Sequence, residues 1–453
     1  MIKTGHVFDA QSRSLRQSLW LMGMVVSLCA CQQREPHTAV DSGHETIVDA
    51  IEEPVMCDNP NERNTAGPLV RQDVSDLVAT YTDDMGGTPA AVGSGLAVAD
   101  LNGDGRLDIL LPQQGPDQIL IQRDDGSFVD QTDTLWPENP DARSIALNTV
   151  DIDGDGDEDV FACREMAANS LYLNDGTGLL TDVSTSWGIS EQLRACFNAA
   201  FGDIDGDGDL DLALANNDPC LGGKNNTEDC SAIKALPSAE VLWENTGRGF
   251  VDITDRLSQD DMLASMMSVI TFLDLNADHI LDILITNDDR MNIPFSRGNV
   301  AYIGDGTGHF TDVSDAYDLN ISMEGMGAGV GDLNGDGQPD MLLTGFRDVA
   351  LLISAGDLWY DADVSMQMVP TEKSRWFAWG VELVDLDNDT DLDAPVVFGW
   401  LPPDTDDEEN PLQQADALYI NEGEVFSEQA AVWEWNDPGY ARGVAVVDLN
   451  GDG

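Results

Sequence analysis

Positive charge is what this chain has least of. Its 453 residues carry 21 Lys and Arg against 84 Asp and Glu, a formal net charge of -63. Nucleic-acid binding needs a basic face to meet phosphates, so that class is excluded on electrostatic grounds. Histidine is scarce too: beyond residue 69 only His279 and His309 occur. There is no G-x-S-x-G, no H-E-x-x-H and no phosphate-binding P-loop, and carboxylates are too abundant to single out an acid–base pair. Gly325-x-Gly327-x-Gly329 lacks the third spacing of a dinucleotide fingerprint and reads as a stretch preceding a strand. No C-x-x-C is present, so neither a zinc ribbon nor a redox motif is supported. Outside the N-terminus no apolar run is long enough for a membrane helix. These absences argue against an enzyme and for a binding or structural protein.

What the chain does have is aspartate at alternate positions. In Asp203-Ile204-Asp205-Gly206-Asp207-Gly208-Asp209-Leu210-Asp211, side-chain oxygens fall at loop positions 1, 3, 5 and 9, with glycine at position 6. Oxygens spaced this way converge when the loop curls, and Gly208 can take the positive φ that the curl needs. An all-oxygen shell suits calcium; magnesium asks for a stricter octahedron, and zinc for nitrogen or sulfur. A single copy reads equally well as a solvated acidic turn. Here the pattern starts again at Asp100, Asp151, Asp203, Asp274, Asp332, Asp385 and Asp448, at spacings of 51, 52, 71, 58, 53 and 63 residues. A period of roughly 40–60 residues is the mark of a propeller or solenoid, and the recurrence favours metal loops over chance turns.

The candidate ligands follow loop by loop. They are Asp100, Asn102, Asp104 and Asp108; Asp151, Asp153, Asp155 and Asp159; and Asp203, Asp205, Asp207 and Asp211. Then come Asp274, Asn276, Asp278 and Asp282; Asp332, Asn334, Asp336 and Asp340; and Asp385, Asp387, Asp389 and Asp393. The seventh loop offers Asp448, Asn450 and Asp452 before the sequence stops short of position 9. Position 12, a glutamate in an EF-hand, is Leu111, Ala162, Leu214, Ile285, Leu343 or Val396, so the position-9 aspartate must close each site instead. The fourth loop has Ala277 and His279 in place of glycines, and the sixth has Thr390 at position 6. These two are expected to bind weakest, because a β-branched residue resists the left-handed conformation.

From about residue 69 each repeat has four parts. An apolar run ends at loop position 1, as in Asn198-Ala-Ala-Phe-Gly-Asp203. The acidic loop follows, then a second run such as Leu281-Asp-Ile-Leu-Ile285, then a hairpin such as Ala301-Tyr-Ile-Gly-Asp-Gly-Thr-Gly308 that leads into Phe310-Thr-Asp-Val313. Short β-branched and aromatic runs bounded by Asp, Gly and Asn are strands, and Asp-Gly between them marks a hairpin. Four strands per unit is the content of a propeller blade. The expected fold is therefore all-β: a propeller of four-stranded blades over 69–453, seven in number, the last one cut short in this sequence. A strand near Leu69–Val78 is a candidate to complete it.

On these loops and their flanking strands, with Phe201-Gly202 as a partly kept signature, the chain resembles the FG-GAP/VCBS repeat family. Its members include the calcium-loop propellers of integrin α-subunits and of bacterial surface proteins. The resemblance implies a propeller with Ca2+ in outer-edge loops. The cartilage-acidic-protein-like branch is the nearer likeness within that family.

Residues 1–31 read as an export signal: Lys3, Arg13 and Arg16 precede an apolar stretch, Leu19–Leu28, too short to span a bilayer comfortably. Leu28-Cys29-Ala30-Cys31 resembles a bacterial lipobox, with Cys31 the lipidated residue; the alternative is an ordinary secretory signal cleaved nearby. Gln32, rather than Asp, after the cysteine favours the outer membrane or cell surface of a Gram-negative bacterium. Residues 32–68 are polar and aperiodic: either a flexible tether or a terminus without a spacing role. Export allows disulfides. Cys220 and Cys230 bracket one short loop, Cys163 and Cys196 lie in adjacent repeats, and Cys57 is left over.

Six divalent ions would offset only part of the negative charge; the surplus reads as a surface adapted to salt. Two insertions, Asn216–Glu240 and Leu401–Asp416, interrupt the period. Trp376, Trp379, Trp400, Trp433 and Trp435 cluster late, either as a sugar- or partner-binding face or as blade core. The functional expectation is an exported calcium-binding lipoprotein that presents a binding or adhesion surface to a protein or glycan. The alternative is a scaffold for a polysaccharide-active enzyme whose catalytic part lies outside this chain.

Overall fold

Each repeat folds as a four-stranded antiparallel meander, because every apolar run pairs with the next across a short polar turn. In the computed structural model the described residues are 2–8, 14–23, 70–73, 81–82 and 95–449, less 114, 141–143, 165–166, 190–194, 218–240, 259–266, 289–297, 347–348, 357, 369–376, 400–413, 424, 437 and 440. Blade 1 comprises Ala97–Ala99, Asp108–Leu111, Gln118–Gln122 and Phe128–Asp130. Blade 2 comprises Ser144–Val150, Asp159–Arg164, Ser170–Asn174 and Leu180–Asp182. Blade 3 comprises Ala195–Gly202, Asp211–Asn217, Val241–Asn245 and Phe250–Asp252. Blade 4 comprises Met267–Leu273, Asp282–Asn287, Val300–Gly304 and Phe310–Asp312. Blade 5 comprises Gly325–Gly331, Asp340–Gly345, Val349–Ser354 and Trp359–Asp361. Blade 6 comprises Ala378–Val381, Ala394–Phe398, Ala417–Asn421 and Phe426–Glu428.

Among the described residues the architecture is thus an all-β propeller with six four-stranded blades. The two ends of the chain meet in a further sheet, ordered Val70–Asp73, Ser14–Gly23, Ile2–Phe8 and Ala441–Ala445. The N-terminal strand foreseen near Leu69–Val78 joins that sheet but pairs with Ser14–Gly23 rather than with Ala441–Ala445. Cys31 and the segment 32–68 lie outside the described residues. Among the described residues, no helix is long and apolar enough to cross a membrane.

The core is a set of seams between neighbouring sheets. One joins Leu110 and Ile119 of blade 1 to Val160 and Tyr172 of blade 2, and equivalent seams continue around to blade 6. Blade 6 then packs on Ala441 and Val444, and Val447 and Leu449 pack back on Ile109 and Leu120 of blade 1. Second strands such as Asp159–Arg164 and Asp340–Gly345 are buried along their whole length. A strand covered on both faces loses the apolar–polar alternation, which is why these runs read as continuously hydrophobic.

Gly325–Gly331 is itself the first strand of blade 5, not a stretch ahead of one. A Cβ on Gly327 would run into the carbonyl oxygen of Trp379 and the Thr344 hydroxyl, so glycine there permits close approach of blades 5 and 6. Trp379, Trp433 and Trp435 are buried in the seam of blade 6, which decides for core packing over an exposed aromatic face; Trp376 and Trp400 lie outside the described residues.

Candidate metal centres

Every complete acidic loop joins the first strand of a blade to the second, so all six sit at the same end of their blades. Their geometry repeats. The position-1 carboxylate accepts the backbone N–H of position 6, as in Gly105 to Asp100 (2.7 Å), Gly208 to Asp203 (3.1 Å) and Thr390 to Asp385 (2.9 Å). The position-5 carboxylate accepts the N–H of position 7, as in Asp157 to Asp155 (3.1 Å) and Gln338 to Asp336 (2.9 Å). These bonds curl the loop and turn the side-chain oxygens inward.

Positions 4 and 6 take left-handed backbone conformations in all six loops. Glycine supplies them in four. Ala277 (φ 59°) and His279 (φ 66°) adopt them in the fourth loop, and Asn388 (φ 58°) and Thr390 (φ 80°) in the sixth. The two irregular loops therefore keep the curl and carry strain of about 1 kcal/mol or more per residue.

The position-9 aspartates Asp108, Asp159, Asp211, Asp282, Asp340 and Asp393 are fully buried. One oxygen accepts the N–H of loop position 2, from Leu101, Ile152, Ile204, Leu275, Leu333 and Leu386 at 2.7–3.2 Å. The other accepts the N–H at the end of the third strand, from Gln122, Asn174, Asn245, Gly304, Ser354 and Asn421, each at 2.8 Å. This carboxylate therefore pins loop to blade as well as facing its fellow ligands. Sequence reasoning foresaw only the second role, because the third-strand partner lies outside the loop motif.

Carboxylate oxygens of Asp151, Asp153 and Asp159 lie within 4.8 Å of one another, as do those of Asp203, Asp205 and Asp211, and of Asp385, Asp387 and Asp393. Oxygens bound to one calcium at 2.3–2.6 Å are separated by no more than about 5 Å, so the spacing fits. Loops 1, 4 and 5 carry Asn102, Asn276 and Asn334 at position 3, which lowers their charge but keeps an oxygen donor. In loop 1 the Arg106 guanidinium pairs with Asp104 and, at 3.0 Å, with Asp124, placing a fixed cation beside a candidate ligand. Asp448 is exposed; Asn450 and Asp452 lie outside the described residues.

Burial, ahead of neighbouring carboxylates, raises Asp108, Asp159 and Asp393 to about 7 and Asp211 and Asp282 to about 6, and raises Asp340 as well, although the backbone N–H groups pull the other way. Burial and then an adjacent aspartate also raise Asp153 and Asp205. A buried carboxylate ringed by carboxylates is disfavoured as an anion without a counter-ion, and a divalent cation would reverse the sign of each contribution.

A second polar centre lies toward the other end of blades 1 and 2. Arg164 Nη1 meets Asp117 at 2.9 Å with both side chains buried, Ser144 Oγ donates to Asp117 at 2.7 Å, and Arg164 Nη2 donates to Tyr172 at 3.2 Å. Beside it, Cys163 of blade 2 is disulfide-bonded to Cys196 of blade 3. Cys220 and Cys230 lie outside the described residues.

Residues 100–162, 151–214 and 274–343 match the FG-GAP-like repeat family, each match opening on the first aspartate of one loop and closing on position 12 of the next. No curated protein matches the chain in sequence. Among solved structures it is similar to a lectin of Agrocybe aegerita that recognises non-reducing terminal N-acetylglucosamine, with 15% identity over 78% of this chain and 86% of that one and a TM-score of 0.44. It is also similar to the V. cholerae biofilm matrix protein Bap1, with 14% identity over 58% of this chain and 38% of that one and a TM-score of 0.34. FG-GAP-like repeats thus build this β-propeller.

Proposed function

We propose that this propeller of FG-GAP-like repeats is a calcium-braced, seven-bladed binding module, carried outside the cell and held there by a lipid on Cys31. The observation that carries the metal reading is the repeated convergence of positions 1, 3 and 9, as in Asp203, Asp205 and Asp211 within 4.8 Å. Its all-oxygen donor set is that of a hard cation. The loops would hold Ca2+ through those side chains, and the ion would neutralise carboxylates that otherwise repel.

The role we assign the metal is mechanical. Each ion binds the folded state alone and stabilises it by about 2.7 kcal/mol at a hundredfold excess over Kd. With one rim stiffened by metal, the other is free to present loops to a glycan or protein. The anionic surface argues for a neutral or cationic ligand.

Metal analysis and melting of the full chain test this reading. The expected result is several bound calcium ions, one fewer in Asp207→Ala, and a melting temperature many degrees lower in chelator. A metal-free protein with an unchanged melting curve overturns it. Radiolabelled fatty acid incorporated by the wild type and not by Cys31→Ser tests the anchor.

A further inference from the structure

At the end of each third strand one residue touches two loops or one, depending on the blade. Its backbone N–H always closes on the position-9 aspartate of its own blade. In blades 2 and 3 its side chain reaches the preceding blade as well: Asn174 Nδ2 donates to the carbonyl of Leu101 at 2.8 Å, and Asn245 Nδ2 to that of Ile152 at 3.1 Å. Those acceptors are loop position 2, whose own N–H holds the position-9 aspartate of the earlier loop. The bonds therefore run without a break from Asp211 through Asn245 and Ile152 to Asp159, and on through Asn174 and Leu101 to Asp108.

The side-chain link stops beyond blade 3: blade 4 reaches the position-2 carbonyl of loop 3 only through the backbone N–H of Gly308, which donates to Ile204 at 3.3 Å and makes no bond to the position-9 aspartate of its own blade. Gly304 and Ser354 occupy the position in blades 4 and 5 and have no amide to offer. A Cβ at Gly304 would collide with the Leu281 carbonyl, so no side chain fits there. In blade 6 Asn421 is in place, but its Nδ2 is buried without a hydrogen-bond partner.

We infer that Asn174 and Asn245 are positioning residues that couple the metal loops of blades 1, 2 and 3, so that these fill together while the loops of blades 4, 5 and 6 fill separately. The inference rests on the calcium reading above. With a cation held in loop 3, Asp211 would be fixed and with it the Asn245 backbone; the Asn245 amide holds the Ile152 carbonyl, and the N–H of that same residue, in the neighbouring peptide group, orients Asp159 in loop 2. Linkage makes the effect reciprocal. Neither asparagine is a ligand, so its loss leaves every donor set whole.

The test is a Ca2+ titration of the full chain by calorimetry, with bound calcium counted. Asn245→Ala is expected to keep the wild-type ion count, to flatten the binding curve, and to weaken the tightest sites by about fivefold. Asn421→Ala is the control. It removes the same amide, and like Asn245 it caps the following turn, through Gly423 at 3.0 Å and Gly247 at 2.9 Å respectively, but its Nδ2 makes neither the bridge nor the bond that Asn245 Nδ2 gives the Leu210 carbonyl of its own loop at 3.2 Å. Its titration is expected to match the wild type. A change in Asn245→Ala confined to a single site also overturns the coupling. Asn174→Ala repeats the measurement if Asn245→Ala does not fold. Curves for Asn245→Ala that match either the wild type or an equally shifted Asn421→Ala overturn the coupling and leave the metal reading standing. A wild type that binds no calcium removes both.

Discussion

Gln122 donates a side-chain Nε2–H to the carbonyl of Leu449 at 3.2 Å, across 327 positions of sequence. The bond is the one Asn174 makes to Leu101 and Asn245 makes to Ile152: third-strand terminus of one blade to position 2 of the preceding acidic loop. Leu449 is position 2 of the loop that opens at Asp448, so blade 1 receives the C-terminal segment as blade 2 receives blade 1. Leu449→Ala is expected to cost about 1–2 kcal/mol in urea unfolding, a partial version of a core truncation, and Gln122→Ala about 1 kcal/mol. Unchanged midpoints in both would show that this contact does not hold the ring.

Thr390→Gly is expected to stabilise the protein by about 1 kcal/mol, because a β-branched residue at φ 80° pays strain that glycine does not. Gly208→Thr, at φ 95°, should cost at least as much. A calcium titration should show the sixth loop tightening in Thr390→Gly. Lower stability on relieving this residue would mean that the hydroxyl is worth more than the conformation.

The buried position-9 aspartates set a pH dependence whose sign changes with metal. Their folded values are raised, to about 7 for Asp108, Asp159 and Asp393, above an unfolded value near 3.8. In chelator the folded state therefore binds more protons, and its relative stability, full below about pH 4, is lost as pH rises through 7. Melting of the apo protein is expected to be higher at pH 5.5 than at pH 8, helped by the falling net charge. With calcium saturating, protons compete with the ion and the order reverses. The same order in both conditions would count against metal at these carboxylates.

Asp117→Asn or Arg164→Met is expected to destabilise by about 3–5 kcal/mol, since each leaves a buried charge without its partner. The double replacement should recover much of the loss. A thermodynamic cycle over the four proteins measures the coupling, and additive effects would rule out the pair as a unit.

Replacing Cys163 and Cys196 together by Ala is expected to cost about 3–4 kcal/mol, the chain-entropy value for their separation of 33 residues. Denaturant melts with and without reductant check this: reductant should shift the wild type and leave the double variant unmoved.

The period and the strands around each acidic loop are legible because alternation and Asp-Gly turns are local signals. The Cys163–Cys196 link is legible as one of two candidate pairs, the cysteines of adjacent repeats, beside Cys220 and Cys230 within one loop. What sequence does not display is contact between blades. Asn174 and Asn245 precede hairpin turns and look like turn residues, yet their amides face the previous blade. Arg164 and Asp117 are 47 positions apart with no motif to join them. A usable signal did exist: an amide side chain recurs at 14 or 15 residues past the buried aspartate in blades 1 and 2. The late tryptophans read as blade core or as a ligand face, since a seam needs large rings as much as a ligand does, and Trp379, Trp433 and Trp435 fall in the core.

The meander also sorts the connections by length. Turns between first and second strands, and between third and fourth, share the rim with the aspartates and stay short. In blades 3, 4 and 6 the second strand ends at Asn217, Asn287 and Phe398 and the third begins at Val241, Val300 and Ala417, so the longest gaps in sequence within a blade fall where second strands give way to third ones, away from the aspartates. Length is thus free to vary on one side of the ring only. Foreign sequence spliced between Asn217 and Val241 or between Phe398 and Gln414 would enlarge that side without shifting a single carboxylate, which makes these junctions the natural grafting points for giving the scaffold a new specificity.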